Sequence, residues 1–343
     1  MRKTPEMKIK NHIYTAIFLL ITVQVIAQDA YFSQFYNAPT MFNSAEIGYR
    51  STGGKYRLNG THRNFGEGFQ TTSLAFDGTI DWRDKSFMGL GGTLIQDKSP
   101  GGGFNTLTLL GGFGLHLSLD DKEKHYLSIG TQLGMVNSQL RTENLKFEND
   151  ILGGESEVFV NTNVFNMDTR AGAIYSFFPS DHVQMKFAIG MNHLRSFTNE
   201  FISAYSETKT QFSLYFDYNQ QIDKWNLNPH IIHMRQGTFN QTLIGFTGTR
   251  YFENDKGFSA GASYRSAKIF SFNNMSSDNS VIFVAGISMS TGTRFYASYD
   301  QSISRLNNLS SGVGNIEFGV QYIINSAKSK RSVSPDMLRN QGN

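Results

Sequence analysis

Residues 106 to 119 read TLTLLGGFGLHLSL. At a period of two, Leu107, Leu109, Phe113, Leu115, Leu117 and Leu119 fall on one face, and Thr106, Thr108, His116 and Ser118 fall on the other. That is the pattern of a β-strand with one apolar side. The alternation outlasts the strands of soluble sheets, which commonly run about five or six residues. It suits a tilted strand crossing a bilayer, which needs about 9 to 11 residues. A barrel wall made of such staves requires more of them, alternating short and long connections, and a secretory leader.

The leader is legible. Arg2, Lys3, Lys8 and Lys10 precede the apolar run Ala16 to Ile26, which closes on Ala27 before Gln28. A positive start, a short apolar stretch and a small residue at the cleavage position predict a signal peptide over residues 1–27. The run is shorter than the roughly 20 residues of a spanning helix, and polar sequence follows at once. The chain has no cysteine, hence no disulfide framework, thiolate metal site or lipid-bearing thiol. Residues 1–27 hold four Lys/Arg and one Glu out of 31 basic and 28 acidic residues, so the remainder is formally balanced. A field suited to nucleic acid is absent. Mean hydropathy is −0.33, yet a barrel wall hides in such an average because its two faces alternate. A secreted soluble β-protein would share the composition, so the strand pattern decides.

The expected fold class is all-β, an outer-membrane β-barrel of about fourteen antiparallel strands, in a range of about 12 to 16. The candidate strands are roughly 55–65, 69–80, 86–96, 105–119, 125–140, 163–178, 182–194, 208–222, 225–235, 241–252, 257–269, 281–289, 293–301 and 314–324. Tight turns at 81–85, 120–124, 179–181, 223–224, 253–256 and 290–292 alternate with longer connections such as 97–104, 141–162, 195–207, 270–280 and 302–313. Bacterial barrels have short periplasmic turns and longer outer loops, which predicts termini in the periplasm. Aromatics near strand ends, among them Tyr126, Phe177, Phe178, Trp225, Tyr251, Phe252 and Tyr322, are expected to form interfacial girdles.

Four segments follow: a leader (1–27), an aromatic plug or docking segment (28–54), the barrel (55–324) and a polar periplasmic tail (325–343). The second is apolar and lies outside the wall, so it must pack inside the barrel or against a partner. Phe32, Phe35, Tyr36 and Pro39 are its candidate site residues. Gly89, Gly91 and Gly92 face Gly111, Gly112 and Gly114, with Gly130 and Gly134 beyond. Clustered strand glycines mark bends or the close approach of another backbone, and barrel curvature is the simpler expectation.

The run from Gln28 to Gly48 resembles the amino-terminal signature of the PorP/SprF family, membrane proteins of the type IX secretion and gliding machinery of Bacteroidetes. The match to QDPxFSQFYxAPxxxNPAxxG is carried by Gln28, Asp29, Phe32, Ser33, Gln34, Phe35, Tyr36, Ala38, Pro39, Asn43, Ala45 and Gly48. KFAIGMNHL (186–194), GFSAGASYR (257–265) and the segment 295–322 also resemble family motifs, and LKFENDIL (145–152) resembles the family's acidic loop. Ser44 stands where proline is usual, and the chain runs on past its last strand. The resemblance implies a non-enzymatic outer-membrane adaptor. Its partners would be outer-membrane lipid, periplasmic ring or peptidoglycan-associated components of the apparatus, and a secreted surface cargo such as a large adhesin. A passive or ligand-gated channel for small or apolar solutes is the rival reading, with Lys186 and Asp217 in its lumen.

No cofactor or metal is expected. His116 and Ser118 are two apart, as in outer-membrane phospholipases, but the leucines around them take the lipid face and send both inward. His230 and His233, three apart, point to opposite faces of a strand. Five carboxylates between Glu143 and Glu157 lack the ordered spacing of a calcium loop.

Overall fold

The computed structural model describes residues 29, 31–49, 55–64, 68–83, 85–141, 161–199, 201, 206–252, 256–266, 279–303 and 314–324. The expected leader, the acidic loop and the tail 325–343 lie outside the described residues.

Fourteen strands close one antiparallel barrel. They are β1 Tyr56–Asn64, β2 Gln70–Arg83, β3 Ser86–Lys98, β4 Phe104–Ser118, β5 His125–Leu140, β6 Asn163–Ser180, β7 Val183–Asn192, β10 Gln211–Ile222, β11 Trp225–Gln236, β12 Phe239–Tyr251, β13 Gly257–Ser266, β14 Asn279–Ser288, β15 Thr293–Ser302 and β16 Asn315–Ile324. Between β7 and β10 a small hairpin, β8 Phe197–Asn199 with β9 Ser206–Thr208, stands apart from the wall; the sequence pattern does not reveal it. Pairing of β1 with β16 closes the ring, leaving no strand edge for hydrocarbon to penalise.

Burial is inverted relative to a soluble protein. Leu109, Leu133 and Met135 are 54, 54 and 57% exposed, while Thr108, Ser128 and Gln132 are buried. An apolar outside and a polar inside make sense only with a bilayer as outer solvent. Part of the expected girdle faces inward instead. Tyr126 and Phe178 are buried and meet edge to face at 6.2 Å, because neighbours such as Phe177 and Phe178 must point to opposite faces. Trp225, Phe252 and Tyr322 are exposed on the outside as expected.

β2, β4, β6, β10, β12 and β14 end, and the strands after them begin, at one end of the barrel, the short-turn end; β5, β7, β13 and β15 end at the other, the long-loop end. The Asp29 N–H donates to Gln236 Oε1 (3.0 Å) at the last residue of β11, which is the long-loop end. Ile324 pairs with Tyr56 at the short-turn end. The described chain therefore starts and finishes at opposite mouths. Residues 31–49 thread the lumen between them.

Candidate functional site: the inner segment and its seat

Residues 31–49 descend through the barrel with three single turns, Phe35–Asn37, Pro39–Phe42 and Ser44–Glu46. Pro39, at the first position of its turn, needs no N–H there. The Asn43 side chain accepts from the Ala45 N–H (2.9 Å) and starts the last turn. Turns this short leave most main-chain groups unpaired within the segment, and buried ones must find partners.

The lumen-facing side chains supply them. Glu317 accepts the Ser33 and Gln34 N–H groups (2.8 and 3.0 Å), and Arg63 donates to the Tyr31 carbonyl (2.7 Å). Asn192 donates to Met41 O (2.8 Å), Ser213 to Phe42 O (2.7 Å) and Arg57 to Glu46 O (2.8 Å). Asp77 accepts the Gly48 N–H (2.6 Å). His116 Nε2 lies 2.9 Å from Ile47 O, which can only accept, so that nitrogen carries a proton. Its other nitrogen meets Ser128 Oγ (2.8 Å) on the neighbouring strand. The Ser118 hydroxyl donates elsewhere, to Asp120 O, so the residues two apart form no His–Ser pair.

The seat itself is glycine. Gly89, Gly114, Gly130, Gly172 and Gly190 are successive partners across β3 to β7, one unbroken row. A Cβ on each would fall on the segment: Ile47 O at Gly89 and Gly114, Ser44 O at Gly130, the Asn43 side chain at Gly172 and Phe42 O at Gly190. Curvature is therefore not the main reason for these glycines; close approach of a second backbone is. Ser44 donates to Gln132 Oε1 (3.1 Å).

Charges anchor both ends. At the long-loop end, Asp300 Oδ2 binds Arg63 (3.1 Å), Arg265 (2.6 Å) and the Ser33 hydroxyl (3.2 Å). The Tyr31 ring lies 4.8 Å from the Arg63 guanidinium and 5.4 Å from that of Arg265. Lower down, Glu46 pairs with Lys186 (3.0 Å) and accepts from the Tyr215 hydroxyl, and Arg57 pairs with Asp77 (2.9 Å). Inward-facing charges on membrane strands are costly unless paired. Strand parity could have picked out Arg57, Asp77, Arg63, Asp300 and Glu317, but not their shared target.

His193, just past β7, bridges the segment to the wall: Nε2 lies 2.7 Å from Asp29 Oδ2 and Nδ1 2.9 Å from Asp168 Oδ1. Burial would depress the imidazole; Asp29 and Asp168 together outweigh it and raise it to about 9. Burial likewise raises Asp29, which His193 and Arg170 pull below 3.8. A raised histidine stabilises fully below its unfolded value of 6.5, and that stability fades as pH climbs through about 9. A depressed aspartate stabilises above 3.8 and loses this as pH falls through its lower folded value. The stability difference between wild type and His193→Gln should thus be largest between pH 3.8 and 6.5 and vanish above about 9, read by denaturation at several pH values.

Phe32, Phe35 and Pro39 are buried, and Tyr36 is half-buried. Phe35 meets Tyr36, Phe42, Tyr215 and His230 at 5.5, 6.2, 5.7 and 5.5 Å. Beneath this cluster a cavity of about 210 Å³ is lined by Tyr36, Asn228, Thr249, Arg294, Tyr296 and Gln321, among others.

An apolar-outside, polar-inside barrel holding its own amino-terminal segment is an outer-membrane protein. The chain belongs to the PorP/SprF family of type IX secretion system membrane proteins, whose profile matches residues 24–322. A comparison with curated proteins finds no match. Among solved structures it is similar to the P. putida toluene transporter TodX (11% identity, TM-score 0.48, 84% of this chain and 94% of that one). It is also similar to the CymD monoaromatic hydrocarbon channel (8%, 0.49, 84% and 93%) and to Acinetobacter baumannii Omp33 (8%, 0.42, 80% and 100%). Likenesses this distant carry no conclusion about solutes or partners.

Proposed function

We propose that this protein is a non-enzymatic adaptor of the type IX secretion and gliding machinery. It links periplasmic ring, motor or peptidoglycan-associated parts to the export or surface anchoring of particular cargo, such as a large adhesin. Family membership supports the machinery. The observation that carries the adaptor role is the occupied lumen: residues 29–49 are bonded to the wall from the long-loop end to the short-turn end. A barrel filled in this way is a rigid body offering its mouths as docking faces, not a conduit for a polypeptide. On this reading Phe32, Phe35, Tyr36 and Pro39 are the core of the plug that shapes those faces.

The test is a mild-detergent pull-down from native membranes with mass spectrometry, comparing wild type with Phe32→Ser/Phe35→Ser/Tyr36→Ser. Wild type should recover ring components or a large secreted surface protein, and the variant should insert but lose them. A wild-type barrel recovered alone would contradict the adaptor role.

A further inference from the structure

The inner segment rests on β3–β7, and the cavity beneath it lies against the strands on the other side. Among its lining residues, Tyr251, Ser288 and Ile323 are last or next to last in β12, β14 and β16. The cavity therefore reaches the short-turn mouth, and Tyr36, Asn37 and Pro39 of the segment close it from within.

Inward cations elsewhere in the barrel are neutralised. Arg57, Arg63, Arg170, Lys186 and Arg265 each have a carboxylate within 3.1 Å. Arg294, which lines the cavity, has none among the described residues. An inward charge on a membrane strand is costly, and one without a counter-charge points to a ligand that supplies it. The two carboxylates of the lining are engaged on the far side. Glu46 is bound by Lys186 and the Tyr215 hydroxyl, and Asp217 accepts from Asn219 and stands opposite Lys186. Strands β11 to β14 separate β10, which carries Asp217, from β15, which carries Arg294.

Register gives Arg294 its neighbours. Tyr251, Gly257, Ser288, Arg294 and Gln321 are successive partners across β12 to β16, and all but the glycine line the cavity. A phenol, a hydroxyl, a guanidinium and a primary amide thus offer donors at one level of the wall. A Cβ on Gly257 would come within 3.1 Å of the Tyr251 ring, so the glycine makes room for it. Such a row suits a carboxylate, which a guanidinium can hold through two parallel bonds. The lining on β10 to β13 is of another kind: Asn219, Asn226, Asn228, Thr247, Thr249 and Ser259. Amides and hydroxyls in that number match a ligand dense in hydroxyl groups.

We propose that the cavity binds a sugar acid. Its carboxylate meets Arg294 within the donor row, and its ring hydroxyls meet the asparagines and Asp217. A volume of about 210 Å³ holds one such ring and little more. The site needs no assembled machinery, so its failure and that of the adaptor reading are separate results.

Titration calorimetry on the purified, detergent-solubilised barrel tests it. The probes are D-glucuronate and N-acetylmuramate, which separate a uronate from a cell-wall sugar acid, with D-glucose, N-acetylglucosamine, acetate and inorganic phosphate beside them. At least one of the two acids should bind about tenfold or more tightly than the neutral sugars and the plain anions. Arg294→Gln should abolish that preference, and Ser288→Ala, which keeps the charge, should weaken the acid about threefold. Neither acid binding more tightly than its neutral counterpart would overturn the proposal. So would acetate or phosphate binding equally well, or a heat-modifiable Arg294→Gln barrel that keeps the preference. If Arg294→Gln does not fold, a folded Ser288→Ala barrel with wild-type affinity for the acid would overturn it as well.

Discussion

Replacing Gly130 with leucine should unseat the inner segment and destabilise the protein by about 3 kcal/mol or more, the upper end of what overpacking costs. The obstacle is main chain: a Cβ at Gly130 falls on the carbonyl of Ser44 and close to the Cα of Ala45. A flexible side chain could swing aside, but this backbone is tied on both flanks by Asn43 and Gly48 to the wall. The segment must leave its seat or the strands must part. Gly111, one strand away, has nothing within 4 Å of its added Cβ, and Gly111→Leu should stay within about 0.5 kcal/mol of wild type. Urea unfolding followed through Trp82 and Trp225, with proteolysis mapped to residues 29–49, separates the two outcomes.

Asp300→Ala should cost about 3–5 kcal/mol, as removal of one partner of a buried ion pair does. Arg63 and Arg265 have essentially no exposed surface, and Asp300 Oδ2 lies within 3.1 Å of both. Without it, two guanidinium groups face one carboxylate, Glu317, where two stood. The Ser33 hydroxyl loses its acceptor at the same time, so the loss spreads to the start of the segment. Lys85→Ala offers the contrast. Its 3.5 Å pair with Asp121 is solvent-exposed, and its removal should change stability by less than about 1 kcal/mol.

What could be read from the chain was local. Alternation at period two and the spacing of tight turns located fourteen staves, because each stave's inside and outside are written in its own residues. The same parity correctly turned His116 inward. What could not be read depends on register between strands. His116 meets Ser128 and not Ser118 because the two are opposite each other across β4 and β5. The glycines of β3 to β7 look like separate bends until five strands bring them into one row. The direction of the threading segment, from the long-loop end downward, is set by contacts 207 to 284 residues apart in sequence, such as Asp29 with Gln236 and Ser33 with Glu317.

The central claim is that residues 29–49 sit fixed inside the barrel on that seat. The Thr40 and Thr93 hydroxyls are 3.1 Å apart, close enough for sulfurs in their place to bond after small rotations. The chain has no cysteine of its own, so Thr40→Cys/Thr93→Cys creates a single possible bridge. In native outer membranes the pair should oxidise almost completely to an intramolecular disulfide, shown by a thiol-reversible mobility shift. Two free thiols, both open to a membrane-impermeant maleimide, would contradict the account.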